Sequence, residues 1–196
     1  MHMDTQPNME VELPSYKHYI WESIKVLAVA GITVFLIRYF LFKPFYVKGM
    51  SMEPTFQEND YLIIDELSYR LRPPVRGEVV VFKHFDVEKD YYLKRVIGLP
   101  GERVKVADGK VTVYNENHPE GIVVQESYLD KDLLTLGEKN VSLGPNEYFV
   151  LGDNRMNSFD SRKFGAVDRD LFVGRAIVRG WPLSIVQKNK APQFNF

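Results

Sequence analysis

The sequence contains no cysteine. This absence excludes a cysteine nucleophile, a disulfide framework and a zinc site built from thiolates. Histidine is scarce, and none of the four, at positions 2, 18, 84 and 118, stands at a metal-ligand spacing such as His-Glu-x-x-His. A hydrolase with a histidine base would have to use one of them. The net charge of −1 gives no overall attraction to nucleic acid.

An apolar segment occupies residues 20–42. Its uncharged run, from Val26 to Ile37, is too short to span a bilayer, but extended outward it reaches the required length of about 20 residues. Flanking cations and aromatic residues suit the two interfaces: Lys25, Arg38, Trp21 and Tyr39. We therefore expect one transmembrane anchor over residues 20–42, after a short polar tail over residues 1–19.

Two alternatives remain for this segment, a cleavable secretory signal and a buried amphipathic helix. No small-x-small cleavage site follows the apolar run, which argues against the first. The distribution of lysine and arginine on the two sides does not favour placing the large domain outside the membrane.

Short β-type runs separated by turn residues follow Pro44, and Asp108-Gly109 between alternating runs predicts a two-residue hairpin. Residues 65–71 look helical, residues 115–146 resemble an exposed loop or insertion, and residues 187–196 form a C-terminal tail. The pattern predicts a mainly β protein: an antiparallel β-sandwich or barrel-like domain over residues 43–186, with one N-terminal transmembrane helix.

The first segment with chemical potential runs from Gly49 to Thr55. A nucleophilic serine needs an exposed hydroxyl on a sharp bend with backbone N–H groups nearby, and Gly49 and Pro54 supply such a bend around Ser51. The same residues are also compatible with an ordinary turn near the membrane.

The second segment runs from Tyr92 to Gly98. Strand alternation places Lys94 on one face and Arg95 on the other, so one face carries a cation among apolar residues. A desolvated lysine can be neutral near pH 7 and act as a general base. The alternative is an edge strand with both cations in water.

The third segment, from Gly152 to Arg162, is dense in Asp, Asn, Arg and Ser. Such a loop is typical of a hydrogen-bonded network that orients a catalytic group, although isolated polar loops have similar compositions. We expect Ser158 to bond Lys94, and Asp160 to pair with Arg162.

Four segments in this order resemble type I signal peptidases (leader peptidases), particularly the compact bacterial kind with one anchor. They run from Val47 to Thr55, Arg76 to Phe82, Tyr92 to Glu102 and Gly152 to Arg162, within a resemblance that covers roughly residues 20 to 185. The last two motifs are long and specific.

The resemblance implies that Ser51 attacks the scissile carbonyl, that Lys94 takes its proton and that Ser158 positions the amine. The supporting loop residues are Asp153, Arg155, Asp160 and Arg162. The Ser51 N–H would contact the oxyanion; Gly49 stands where some relatives add a serine hydroxyl. Shallow pockets for Ala-x-Ala-like sites would be lined by Phe45, Val47, Met52, Tyr92 and Leu93.

The implied partners are preproteins bearing signal peptides, the lipid bilayer and the nearby export machinery, with no nucleic acid, metal or organic cofactor. The resemblance also places the catalytic domain on the outer face of the plasma membrane.

Three other functions share some of these features. An SOS-repressor-like autopeptidase shares the Ser–Lys chemistry, but residues 1–19 are too short for its DNA-binding region. A penicillin-binding enzyme needs Ser-x-x-Lys, which is absent. A non-enzymatic, membrane-tethered β-module is disfavoured by intact Ser51, Lys94 and Ser158.

Overall fold

The computed structural model describes residues 16–83, 91–181, 187–188 and 191–196. The chain divides into two compact units, Met1–Phe40 and Leu41–Phe196. Helix α1 (Tyr16–Leu41) accounts for the described part of the first unit, and the side chains described along it are exposed.

The segment predicted as an anchor is therefore helical almost throughout, and β1 begins at Phe42. Glu22, Lys25 and Arg38 shorten its uncharged part. No helix in the described ranges combines the length and apolar character that crossing a membrane requires. The predicted transmembrane helix is thus not confirmed. Most of the predicted polar tail, residues 1–15, lies outside the described residues.

Short strands and turns make up the second unit. Its strands are β1 (Phe42–Tyr46), β2 (Tyr61–Asp65), β3 (Val79–Lys83), β4 (Tyr91–Gly98), β5 (Arg103–Ala107), β6 (Lys110–Asn115), β7 (His118–Val123), β8 (Lys139–Ser142), β9 (Glu147–Leu151), β10 (Val167–Asp168), β11 (Phe172–Trp181) and β12 (Gln187–Lys188). Short helices are α2 (Ser68–Leu71), α3 (Ser161–Phe164) and a 3-10 turn (Arg169–Leu171). The predicted hairpin is confirmed, since Asp108 and Gly109 both have positive φ between β5 and β6.

These strands form two antiparallel sheets. The larger follows the order β1-β2-β11-β3-β4-β9-β10, with β12 paired to β11, and the smaller follows β7-β6-β5-β8. Every strand pairing among the described residues is antiparallel. This confirms a mainly β, antiparallel fold. The path of the larger sheet ends at β1 and β10 and does not close over the described strands, so the barrel-like alternative is not observed.

The larger sheet is buried on both faces where the core is deepest. In β3, Val79 and Val81 pack with one hydrophobic cluster, while Val80 and Phe82 pack with another. A third cluster joins Ile97 of β4 to the valines of β5 and β6. Central strands that are apolar on both faces hold β4 rigidly, and β4 carries the candidate base.

Two segments differ from their sequence-based interpretation. Residues 115–146 contain β7 and β8, which are the two outer strands of the smaller sheet. Outer strands tolerate polar residues and proline, here Pro119, so their composition resembled a loop. In the predicted C-terminal tail, residues 187–188 pair with β11, and Phe194 and Phe196 pack against the core.

Candidate active site

Ser51 lies in the loop between β1 and β2. Backbone hydrogen bonds close the base of this loop, from Val47 N to Asp60 O over 2.9 Å and from Asn59 N to Val47 O over 3.0 Å. Met52 and Phe56 are 1% and 2% exposed and fix the loop to the core. Gly49 has φ +82°, a conformation that glycine adopts without strain. The bend that holds Ser51 is thus fixed on both sides.

Lys94 projects from the centre of β4 and is 3% exposed. Its Nζ donates to Ser51 Oγ over 2.8 Å and to the carbonyl oxygen of Leu93 over 2.9 Å. The amine also lies 5.4 Å from the centre of the Tyr92 ring. The structure therefore brings together two residues that are 43 positions apart in the sequence.

Burial lowers the pKa of Lys94 from 10.5 to about 8, against the charges of Asp160 and Asp153, which raise it. A buried ammonium loses hydration, and a hydroxyl with a carbonyl does not replace a carboxylate. An appreciable fraction of this amine is consequently neutral near pH 7, as a general base requires.

The neighbouring residue, Arg95, is also buried, at 1% exposure. Its guanidinium donates to both Asp153 oxygens, over 2.9 Å from Nε and 2.6 Å from Nη2, and to Gly77 O over 2.8 Å. Burial opposes the charge of Arg95, but the bonds to Asp153 prevail and raise its pKa. Both faces of β4 thus bury a cation, where the sequence required only one.

The loop after β9 packs directly against the loop that carries Ser51. Asn154 donates from its backbone N to Ser51 O over 3.0 Å and from Nδ2 to Met50 O over 3.1 Å. Gly152 is in close contact with Ser51, since an added Cβ would lie 2.5 Å from the Ser51 carbonyl oxygen. The position of this loop consequently determines the position of Ser51.

The expected ion pair between Asp160 and Arg162 is present, with Nη2 2.8 Å from Oδ2. Asp160 also accepts from Gly152 N over 3.1 Å and caps α3 through Arg162 N. Burial opposes ionisation, but the bonds and charge of Arg162 lower the pKa of Asp160. Arg155 is likewise buried and donates to Gly152 O over 3.1 Å.

The expected hydrogen bond between Ser158 and Lys94 is absent from the structure. The Ser158 hydroxyl oxygen is buried against Gly152 and has no hydrogen-bond partner of normal geometry. It is near enough to Asp160 to help lower the pKa of that carboxyl. The Lys94 amine instead uses the adjacent carbonyl of Leu93, which needs no second loop to reach it.

A cleft of about 780 Å³ opens over Ser51 and Lys94. All residues predicted to contact substrate line it: Phe45, Val47, Met52, Tyr92 and Leu93. Gly49 also lines the cleft, and its N–H donates to Glu58 over 3.1 Å. Within the described residues, the Ser51 N–H has no acceptor. No group of three or more histidine, aspartate or glutamate side chains in the described part can hold a metal ion.

Comparison with known proteins decides the family. The model of the family described as "Signal peptidase, peptidase S26" matches residues 20–181. The chain belongs to the signal peptidase S26 family. It is 43% identical to the Probable signal peptidase I-2 of Synechocystis over 165 residues, covering 81% of this chain and 72% of that protein. Signal peptidase IB of Staphylococcus aureus strain COL is 35% identical over 188 residues, covering 90% and 97%.

A crystal structure of a signal peptidase I from Enterococcus faecalis V583 is also similar, with 28% identity and a TM-score of 0.44 over 53% of this chain and 97% of that one. Membership of the S26 family indicates a serine peptidase that removes signal peptides from preproteins.

The sequence alone did not indicate several hydrogen-bond partners of the supporting residues Arg155 and Asp153. Glu126 and Thr135, both in the segment interpreted as a loop, bond Arg155, and Thr55 Oγ1 donates to Asp153 over 2.5 Å. A buried arginine needs a carboxylate, so the excess of cations around Lys94 was the available signal. Nothing in the local pattern pointed to Glu126.

Proposed function

We propose that this chain is a membrane-bound serine endopeptidase that removes N-terminal signal peptides after Ala-x-Ala-like sites. Ser51 is the nucleophile and neutral Lys94 the general base. The observation that carries the proposal is the 2.8 Å contact between Ser51 Oγ and a buried amine. Buried lysines without a carboxylate partner are costly, and such sites cluster where catalysis needs a base.

The proposed reaction has two stages, formation of an ester on Ser51 and hydrolysis of that ester. As Ser51 Oγ attacks the scissile carbonyl carbon, its proton moves to Lys94 Nζ. The resulting ammonium gives this proton to the leaving amine, and the peptide C–N bond breaks, which leaves an ester on Ser51. Lys94, neutral again, then takes a proton from water as the water attacks the ester. The ammonium returns this proton to Ser51 Oγ as the ester C–O bond breaks, which releases the signal peptide.

The free N–H of Ser51 supplies one donor for the oxyanion. Gly49 has no side chain to add a second, and its own N–H already donates to Glu58. Asp153, Asp160 and their arginine partners hold the surrounding loop. Ser158 lies buried beside Gly152, where it would fill space next to Ser51 rather than bind the amine.

The lining of the cleft supports small apolar residues in the substrate. Met52 is almost completely buried at its floor, while Phe45, Tyr92 and Leu93 are half-buried around it. Such a surface favours side chains that need no polar partner.

Membrane attachment forms part of the proposal, with the second unit on the outer face of the plasma membrane near the export machinery and no contact with nucleic acid. The exposed apolar side chains along α1 support attachment; they include Ile24, Leu27, Val29, Ile32 and Phe35. Protease accessibility of the second unit in sealed spheroplasts tests the orientation.

Incubation of the full-length chain in detergent with an Ala-x-Ala preprotein, followed by mass spectrometry, tests the activity. We expect one cut after the second alanine, none with Ser51→Ala, and normal cutting with Ser142→Ala, which alters an exposed serine on β8. Equal cleavage by Ser51→Ala, or an intact preprotein with the folded wild type, contradicts the proposal.

A further inference from the structure

Arg155 is held by a segment that lies far from it in the sequence. The side chain is 1% exposed, and its Nη1 donates to Glu126 Oε2 over 2.5 Å while Nη2 donates to the other oxygen. Thr135 accepts a further bond from Nη1. Glu126 and Thr135 belong to the connection between β7 and β8. The Glu126 carboxylate, which lies outside the loop after β9, therefore neutralises the buried Arg155 within that loop.

The same arginine acts on the backbone next to Ser51. Its Nε donates to Gly152 O over 3.1 Å, and Gly152 packs against both the Ser51 carbonyl and the Ser158 hydroxyl. An added Cβ at Gly152 would lie 2.5 Å from the first and 2.2 Å from the second. A shift of Arg155 would consequently disturb Gly152 and, through it, the position of Ser51.

Tyr128 links Glu126 to the strand that carries Lys94. Its ring lies 4.0 Å from the guanidinium carbon of Arg95, the residue after Lys94. Its hydroxyl donates to Glu126 Oε1 and accepts from Arg155 Nη2 over 3.3 Å. Burial raises the pKa of Tyr128 well above its ordinary value, so the hydroxyl remains a donor.

We propose that Glu126 is a positioning residue, which fixes the spacing between Ser51 and Lys94 by joining the loop after β9 to strand β4 through Arg155 and Tyr128. Glu126 contacts neither the Lys94 amine nor the Ser51 hydroxyl, and no motif in the sequence assigns it a catalytic role. Its effect on rate rests on the proposed peptidase function; its effect on geometry does not.

The test is the titration of Lys94, followed by the ¹³Cε resonance of labelled lysine in the full-length chain and assigned with Lys94→Met. The charged or titratable groups facing Glu126 are Arg155, Tyr128 and Arg95. In Glu126→Gln the loop relaxes, the Lys94 amine is less well shielded from water, and relief of the burial that lowers its pKa raises its midpoint by at least about half a pH unit.

The matched control is Glu120→Gln, which removes an exposed carboxylate from β7 and leaves the midpoint unchanged. If Glu126→Gln does not fold, Tyr128→Phe replaces it, since this change removes the hydroxyl and keeps the ring on Arg95; a smaller rise in the Lys94 midpoint is expected. An unchanged or lowered Lys94 midpoint in the folded variant overturns the proposal and leaves Glu126 a purely structural residue.

No substrate is needed for this titration, so loss of the proposed peptidase function would not affect it. With an active wild type, Glu126→Gln should lower kcat about tenfold with KM within about twofold, because misplaced reacting atoms slow chemistry more than binding. A change confined to KM contradicts the positioning role.

Discussion

The two faces of β4 bury two cations with opposite consequences. Lys94 and Arg95 are adjacent and almost equally buried, at 3% and 1% exposure. Arg95 meets a carboxylate, Asp153, with two charged hydrogen bonds. Lys94 meets a hydroxyl and a backbone carbonyl, neither of which carries charge. Burial alone therefore does not determine whether a cation keeps its proton. The hydrogen-bond partner, charged for Arg95 and neutral for Lys94, determines it.

The two adjacent cations of β4 therefore have different roles. Asp153 raises the pKa of Arg95, so that this cation stays charged and holds the loop after β9. Burial lowers the pKa of Lys94 to about 8, so that this amine can release and accept a proton near neutral pH.

Replacing the titrating cation by a permanent one gives the largest expected effect. Lys94→Arg should lower the rate of preprotein cleavage by at least about 10³-fold, since arginine stays protonated and cannot serve as a base. Gel-based cleavage kinetics with purified protein measures this loss. The control is Lys105→Arg, on an exposed position of β5. A variant at position 94 that retains a tenth of wild-type activity would contradict the role of Lys94.

Removing the partner on the opposite face should lower the stability of the fold. Asp153→Ala leaves Arg95 buried without its carboxylate, which costs about 3–5 kcal/mol of unfolding free energy. Urea denaturation monitored by tryptophan fluorescence gives the difference. Asp132→Ala, on an exposed position between β7 and β8, should change little. If Asp153→Ala unfolds at the wild-type urea concentration, the ion pair does not hold the loop.

A smaller effect is expected for stability as a function of pH. Lys94 has a folded pKa of about 8 against 10.5 unfolded. The unfolded chain therefore binds more protons in this window, so the stability contributed through Lys94 rises with pH between these values and is lost as pH falls. Lys94→Met should be more stable than wild type by up to about 3 kcal/mol at pH 7.

This difference should shrink toward zero as the pH rises above 10.5, where the wild-type lysine is mostly neutral in both states. Paired urea titrations at several pH values measure it. A stability difference that stays constant with pH would show that folding does not lower the pKa of Lys94.

Several elements of this molecule were predictable from sequence because local rules determine them. The Asp108-Gly109 turn needs positive φ at both positions, and both residues adopt it. The apolar run from Val79 to Phe82 is one of the β-type runs after Pro44, and it forms β3. The motif around Ser51 and the one around Lys94 indicated which residues meet in the cleft.

The remaining features depend on contacts between distant segments. Alternation placed Lys94 and Arg95 on different faces but could not indicate that both faces are covered. The polar composition of residues 115–146 concealed two outer strands and the carboxylate of Glu126, because outer strands carry few apolar residues. The hydroxyl of Ser158 lies near the site, yet its orientation depends on packing against Gly152.

Acylation of Ser51 by a serine-reactive probe across pH tests the central claim most directly, because it reports nucleophile and base together. Mass spectrometry should locate the label on Ser51. The rate should rise about tenfold per pH unit below an inflection near 8 and level off above it, following the neutral fraction of Lys94. A rate that does not change between about pH 6 and pH 10, or one unaltered in Lys94→Arg, would contradict the account.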